Sequence, residues 1–192
     1  MDNEFKELEF KFKADDIKLT DFQNLIKNIK YNRFIERSSW DVYYVKDENK
    51  EEFQRFRKDL TSPELTKKAK TKDTNNWRRV ESDLPLDPKR ISEDKVAFHV
   101  GLDGYTENFR IFKSCFIYFL DLVNYVYYTV YNENMKEVGR FIEVEINKDK
   151  ILELGGEEKA FEVLKEYEQK LSVLGISPQN RLKKSLFEMF VK

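Results

Sequence analysis

The sequence predicts an α+β fold: a closed or nearly closed antiparallel β-barrel of about eight strands with a few surrounding helices. Two observations lead there. Segments such as Glu7-Leu8-Glu9-Phe10-Lys11 alternate charged and apolar residues, so Glu7, Glu9 and Lys11 share one strand face, with Leu8, Phe10 and Phe12 on the other. Similar aromatic and β-branched segments recur along the chain between short polar turns. Barrel closure matters because it turns alternating faces inward, toward one another.

The elements follow in order. After the first strand, Thr20-Asp21-Phe22-Gln23 resembles a capping box, and Phe22, Leu25, Ile26 and Ile29 continue it at helical spacing. Trp40 to Lys46 and Glu52 to Lys58 read as strands joined by the polar turn Asp47-Glu48-Asn49-Lys50. Leu65 to Lys72 and Asn76 to Asp83 read as another pair, joined through Asp73-Thr74-Asn75. Ser92 is placed to cap a short helix through Val100, ended by Gly101 or Gly104. Strands are expected over about 109–119, 123–132 and 138–147. Gly155-Gly156 then opens a helix with Ala160, Val163, Leu164, Tyr167, Leu171 and Leu174 on one stripe, ended by Gly175. The tail from Asn180 packs as a short strand or helix.

Composition narrows the class. A chain of 192 residues, with 40% hydrophobic and 15% aromatic residues, fits one domain spanning 1–192 with a real core. Its 35 basic and 36 acidic side chains nearly cancel, so no global attraction to nucleic acid or membrane follows. Any polyanion must be met by charge gathered locally. The single cysteine, Cys115, excludes an internal disulfide framework and fits a reducing compartment. The N-terminus carries no signal-peptide core, and the apolar stretch around 116–131 is broken by Asp121 and Asn124. A soluble, cytoplasmic protein with no membrane role is the expectation.

The charged strand faces form a set. Glu143 and Glu145 share a face opposite Ile142, Val144 and Ile146, mirroring the first strand. Arg55 and Arg57 share another, as do Lys68 and Lys70 with Thr66, although Lys67 makes that register ambiguous. Arg79 and Glu81 share a face with Trp77, and Lys113 shares one with Cys115. An amphipathic sheet with one solvated side accounts for any single strand. Segregation of acids on two strands and bases on most others argues for more: carboxylates hold Mg²⁺ or Mn²⁺ through hard oxygens, and arginine and lysine bind phosphate. With one histidine and one cysteine, a zinc cluster or a Cys-His nucleophilic pair is disfavoured, and His99 reads as an ordinary surface or core position. Gly155-Gly156 lacks the Lys-Ser/Thr of a P-loop, and Tyr125, Tyr127, Tyr128 and Tyr131 read as aromatic strand packing.

The order of these residues resembles the CYTH family, also called triphosphate tunnel metalloenzymes. Glu7-Leu8-Glu9-Phe10-Lys11 resembles its E-x-E-x-K, Asp41-Val42-Tyr43 its D-x-Y, and Arg55-Phe56-Arg57 its R-x-R. Arg79-Val80-Glu81 resembles R-x-E, and Lys113 to Tyr118 resembles K-x-R-x-x-Y. Gly139 to Glu145 is similar to G-x-F-x-E-x-E, and Lys184 to Phe190 to the C-terminal R-S-Y-x-E-L-L. The chain departs from the pattern at Cys115, where arginine is usual, at Arg140 for aspartate, and at Leu186 for tyrosine. The aspartate expected before the last strand has Glu133 in its place by spacing, or Tyr131 if two residues are inserted.

The resemblance implies an eight-stranded tunnel with metal held by Glu7, Glu9, Glu143 and Glu145. It implies phosphate contacts from Lys11, Arg55, Arg57, Lys68, Lys70, Arg79 and Lys113, and catalytic work by Glu9, Lys11, Glu81 and Glu145. Glu81 binds metal or orients Arg79. The activity implied is Mg²⁺- or Mn²⁺-dependent hydrolysis of a triphosphate, whether inorganic, nucleoside, thiamine or an RNA 5′ end, by a monomer or homodimer. A class IV-type adenylyl cyclase shares the same ligands, and a non-catalytic binder of triphosphate or RNA ends is the further alternative.

Overall fold

A computed structural model describes residues 4–47, 49–70 and 78–191. The side chains of residues 4–7, 49, 50, 70 and 78–81 lie outside the described set, and with them those of Glu7, Lys70, Arg79 and Glu81. Eight strands are present among the described residues: β1 (Glu4–Lys13), β2 (Arg33–Lys46), β3 (Asn49–Lys58), β4 (Glu64–Lys70), β5 (Arg78–Pro85), β6 (Thr106–Phe119), β7 (Val123–Tyr131) and β8 (Glu137–Ile146). The helices are α1 (Leu19–Ile29), α2 (Glu93–Leu102), α3 (Lys150–Glu153), α4 (Glu157–Gln169) and α5 (Leu186–Phe190).

All strand pairs are antiparallel. The order is β1-β5-β4-β3-β2-β6-β7-β8, and β8 returns to pair with β1. The seam at β1 is divided, however. Glu4 to Leu8 pair with β5, whereas Glu9 to Lys13 pair with β8. A strand crossing a curled sheet at a slant reaches one neighbour with each half. The sheet is therefore a curled eight-stranded half-barrel with a staggered seam, and full-length closure, as the sequence predicts it, is not what β1 displays.

Burial explains the two faces. On the outside, Leu8, Phe10 and Phe12 of β1 pack with Ile142, Val144 and Ile146 of β8 and with Phe22, Ala160 and Leu164 from α1 and α4. Val42, Tyr44, Phe56 and Leu65 do the same beneath Val96 and Val100 of α2. On the inner face, Tyr43, Phe53, Phe109 and Phe141 form an aromatic cluster that receives Leu186 and Phe187 of α5. Phe187 stacks on Phe53 with ring centroids 4.1 Å apart, which seats α5 against one end of the hollow.

Several local expectations need correction. Helix α1 starts at Leu19, with Lys18 at the N-cap and no side-chain cap, so Thr20 lies inside the first turn. Ile17 and Leu19 pack on the same core as Phe22 and draw the helix start forward. Strand β2 begins at Arg33, not Trp40, because its polar first half is carried by pairing with β6 from Arg33↔Phe119 to Ser39↔Lys113. The Ser92 cap is present, accepting from the Lys95 amide at 3.4 Å, and the helix it opens runs on to Leu102. Gly156 precedes α4, and Gly175, with φ 75°, ends the 3₁₀ turn that continues it. Residues 71–77, expected to hold strand ends and a turn, lie outside the described residues. No helix among the described residues is long and apolar enough to cross a membrane.

Candidate functional site

Alternation brings the described charged residues to the inner face of the sheet, around a cavity of about 220 Å³. Glu9, Lys11, Arg55, Arg57, Lys68, Lys113, Glu143 and Glu145 all line it. The β4 register is thereby settled: Thr66 and Lys68 are buried inward, while exposed Lys67 reaches Glu52 at 3.2 Å. Glu7 pairs with Arg79 across β1 and β5, Glu81 with Lys68 and Lys70 with Arg79 across β4 and β5. Those four positions are known by register alone.

One wall is acidic. Glu9 of β1 stands opposite Glu145 of β8, and Glu145 stands opposite Asn124 of β7, a row across three adjacent strands. One step along, Lys11 stands opposite Glu143. The Lys11 ammonium bridges two acids, 2.8 Å from Glu143 Oε1 and 3.3 Å from Glu9 Oε1. Tyr128 donates to Glu143 Oε1 at 2.7 Å, and Asn124 Nδ2 donates to Glu145 Oε1 at 2.8 Å. Burial pushes the Glu143 carboxyl up, but Lys11, Lys113 and the Tyr128 hydrogen bond outweigh it, and its pKa falls below the ordinary value. The same burial and the neighbouring Glu143 push the Tyr128 phenol well up, so it stays a neutral donor.

The other wall is basic and built around a buried acid. Asp41 of β2 is fully buried and takes a two-pronged bond from Arg57, Nε to Oδ1 at 2.8 Å and Nη2 to Oδ2 at 3.0 Å. Lys113 Nζ reaches Asp41 Oδ2 at 3.2 Å. Burial raises the Asp41 pKa, yet Arg57 and Lys113 hold it well below the usual carboxylate range, and Asp41 in turn raises Arg57. Arg55 Nη2 bonds Glu64 at 3.2 Å and Thr66 Oγ1 at 3.1 Å. Thr66 donates to Asp83, whose other oxygen meets Lys148 at 2.7 Å. Cys115 lies nearby, and burial pushes its thiol up, which makes it a poor nucleophile.

The sequence reading missed Asn124, Glu64, Asp83 and Lys148, which also border this region. Asp41 was visible only as part of D-x-Y. Nothing in the local sequence marks Asn124, because its role arises from cross-strand register. Glu133 and Tyr131, the two positions considered for the family aspartate, do not join the site. Glu133 is exposed in the β7–β8 turn, whose shape is set by Asn132 Oδ1 accepting from the Asn134 and Lys136 amides. Tyr131 pairs with Glu137 at the end of the ladder. His99 is exposed on α2, far from a role in this arrangement.

The donor set fits a hard divalent cation in kind: Glu9, Glu143 and Glu145 offer carboxylate oxygens, and Glu143 is held ionised. Asn124 Oδ1 is buried and accepts no hydrogen bond from the described residues, a state that costs roughly 1–3 kcal/mol unless something meets it. As the side chains stand, no group of three or more His, Cys, Asp or Glu among the described residues converges as a ready metal cage. Lys11 holds that ground, with its ammonium between two of the acids.

No protein-family model matches the sequence, and no curated relative matches it. Solved structures do. The chain is similar to the PH1012 protein of Pyrococcus horikoshii at 20% identity, with 97% of this chain and 99% of that one covered and a TM-score of 0.72. A conserved hypothetical protein of Pyrococcus furiosus matches at 24% identity over 95% and 98% of the two chains, TM-score 0.66. A Vibrio parahaemolyticus protein provisionally assigned as an adenylate cyclase matches at 15% identity over 95% and 96%, TM-score 0.70. Identities this low establish a fold. That fold, an eight-stranded antiparallel sheet curled around a hollow, agrees with the one the resemblance in the sequence implies.

Proposed function

We propose that the chain is a divalent-metal-dependent phosphohydrolase acting on a triphosphate held between the two walls. The observation that carries this reading is the grouping of charge around one cavity: Glu9, Glu143 and Glu145 gather about Lys11 on one side, and Arg55, Arg57, Lys68 and Lys113 outnumber Glu64 and Asp83 on the other. A site for an anion alone has little use for acids facing its ligand unless they carry a cation. Glu9, Glu143 and Glu145, with Glu7 by position, would hold Mg²⁺ or Mn²⁺, which supplies Lewis acidity toward phosphate oxygens when bound.

The chain's own residues do the rest. Arg55, Arg57, Lys68 and Lys113, with Lys70 and Arg79 by register, neutralise charge on the transferred phosphoryl group. The fork to Asp41 uses Nε and Nη2 of Arg57, so the guanidinium is oriented while Nη1 stays outside the fork. Lys11, between Glu9 and Glu143 as the side chains stand, would turn its ammonium toward a phosphate oxygen if those acids held a cation. Glu81 or Glu145 accepts a proton from the attacking water. The tunnel closes fully around the bound triphosphate, within a single domain.

Cyclisation of ATP to cyclic AMP and pyrophosphate uses the same ligands, and the Vibrio neighbour's provisional assignment favours keeping it as the second reading. The test is product analysis. The protein is incubated with tripolyphosphate, ATP, GTP and 5′-triphosphate RNA, each with Mg²⁺ or Mn²⁺. Orthophosphate release is expected; cyclic nucleotide with pyrophosphate establishes the cyclase. Metal-dependent binding without turnover reduces the protein to a binder of triphosphates or RNA ends.

A further inference from the structure

Asn124 is the one polar side chain of the acidic row that the proposed function does not use. It is 8% exposed, on the inner face of β7, directly across the ladder from Glu145. Its two amide atoms have opposite surroundings. Nδ2 donates to Glu145 Oε1 at 2.8 Å, whereas Oδ1 is closed off from solvent and accepts no hydrogen bond from the described residues. Turning the amide over does not relieve this: it sets a carbonyl oxygen against the Glu145 carboxylate and strands the two N–H donors instead. The orientation is fixed by Glu145, and the orphan oxygen is a consequence of it.

The surroundings are suited to a cation. A second cavity of about 440 Å³, bordered by Asn124, Glu145, Asn147, Lys148 and Asp149, adjoins the first, and Glu145 lines both. A buried amide oxygen beside a carboxylate, with further carboxylates on the next strand, is a set of hard oxygen donors. We propose that Asn124 Oδ1 is a ligand of the divalent cation shared with Glu145, so the metal site extends from β1 and β8 onto β7. This rests on the metal–triphosphate reading and deepens it. A neutral amide gives the site one negative charge fewer than a carboxylate at the same place, which tunes it toward weaker, exchangeable metal.

The test measures metal on the intact protein without triphosphate. Free Mn²⁺ is counted by electron paramagnetic resonance during titration, for wild type, Asn124→Leu, Asn124→Asp and Glu145→Gln. In parallel, electron–nuclear double resonance is recorded on protein labelled with ¹³C at the asparagine side-chain carbonyl. The expected result is a ¹³C coupling to bound Mn²⁺ in the wild type that Asn124→Leu abolishes, with affinity weakened at least about tenfold. Asn124→Asp, nearly isosteric, is expected to tighten Mn²⁺ by about tenfold, which guards against a folding defect in the leucine variant. Mn²⁺ binding that is lost in Glu145→Gln but shows no asparagine coupling, and is unchanged in Asn124→Leu, overturns the Asn124 ligand and leaves the metal reading standing. A wild type that binds no Mn²⁺ overturns both.

Discussion

The two walls of the hollow are neutralised in different ways. On the basic wall a single buried carboxylate, Asp41, locks Arg57 through a two-pronged bond and reaches Lys113 as well. On the acidic wall the partners among the described residues include adaptable ones: a lysine on a flexible stem, an amide and a phenol. The basic wall is thus set in shape before any ligand arrives, as electrostatic preorganisation requires. The acidic wall holds its charge with groups that can be displaced. The cation uptake and release proposed above would use that asymmetry.

Breaking the lock should have the largest effect. Asp41→Asn leaves Arg57 and Lys113 without their buried counter-ion and is expected to destabilise the fold by about 3–5 kcal/mol, measured by urea unfolding at neutral pH. The same lock sets acid sensitivity. The Asp41 pKa is lowered by folding, so its contribution is present above the unfolded carboxylate value of about 3.9 and is lost as pH falls below it. Stability should therefore be level from neutral pH down to about pH 5 and drop beneath that. Glu143 and Asp83, also lowered, act in the same direction. Asp41→Asn should flatten the acid limb without abolishing it.

On the acidic wall, Glu143→Gln keeps an acceptor for Tyr128, and Lys11 keeps Glu9. Its expected loss in the same urea series is smaller, about 1.5–3 kcal/mol. An effect as large as that of Asp41→Asn would erase the distinction between the walls. At the rim, Lys148 is half-exposed and its pair with Asp83 lies open to solvent. Lys148→Ala should change stability by less than about 1 kcal/mol while weakening triphosphate binding at low salt.

Much of this was legible because strand faces repeat every second residue. The pattern at Glu7, Glu9 and Lys11, repeated in reverse at Glu143 and Glu145, foretold one charged face and one apolar face, and the described members lie on them. What stayed hidden depends on register between distant strands. Asn124 became notable only once β7 and β8 aligned it with Glu145. Asp41 was marked by the D-x-Y resemblance but had no role until β2, β3 and β6 brought Arg57 and Lys113 to it. The polar stretch from Arg33 to Ser39 gave no strand signal, since its pairing with β6 replaces intrinsic propensity. Helix α5 was open between strand and helix because its place is decided by Phe187 meeting Phe53 across the fold.

The central claim is that the acidic wall takes a metal and the basic wall a triphosphate, each strengthening the other. Calorimetric titration of tripolyphosphate into wild type and Glu9→Gln, with Mg²⁺ or with a chelator, tests it directly. Binding should tighten by at least about tenfold when Mg²⁺ is present, and Glu9→Gln should lose that gain while keeping the chelator-state affinity. Equal affinity with and without Mg²⁺ in the wild type would contradict the account.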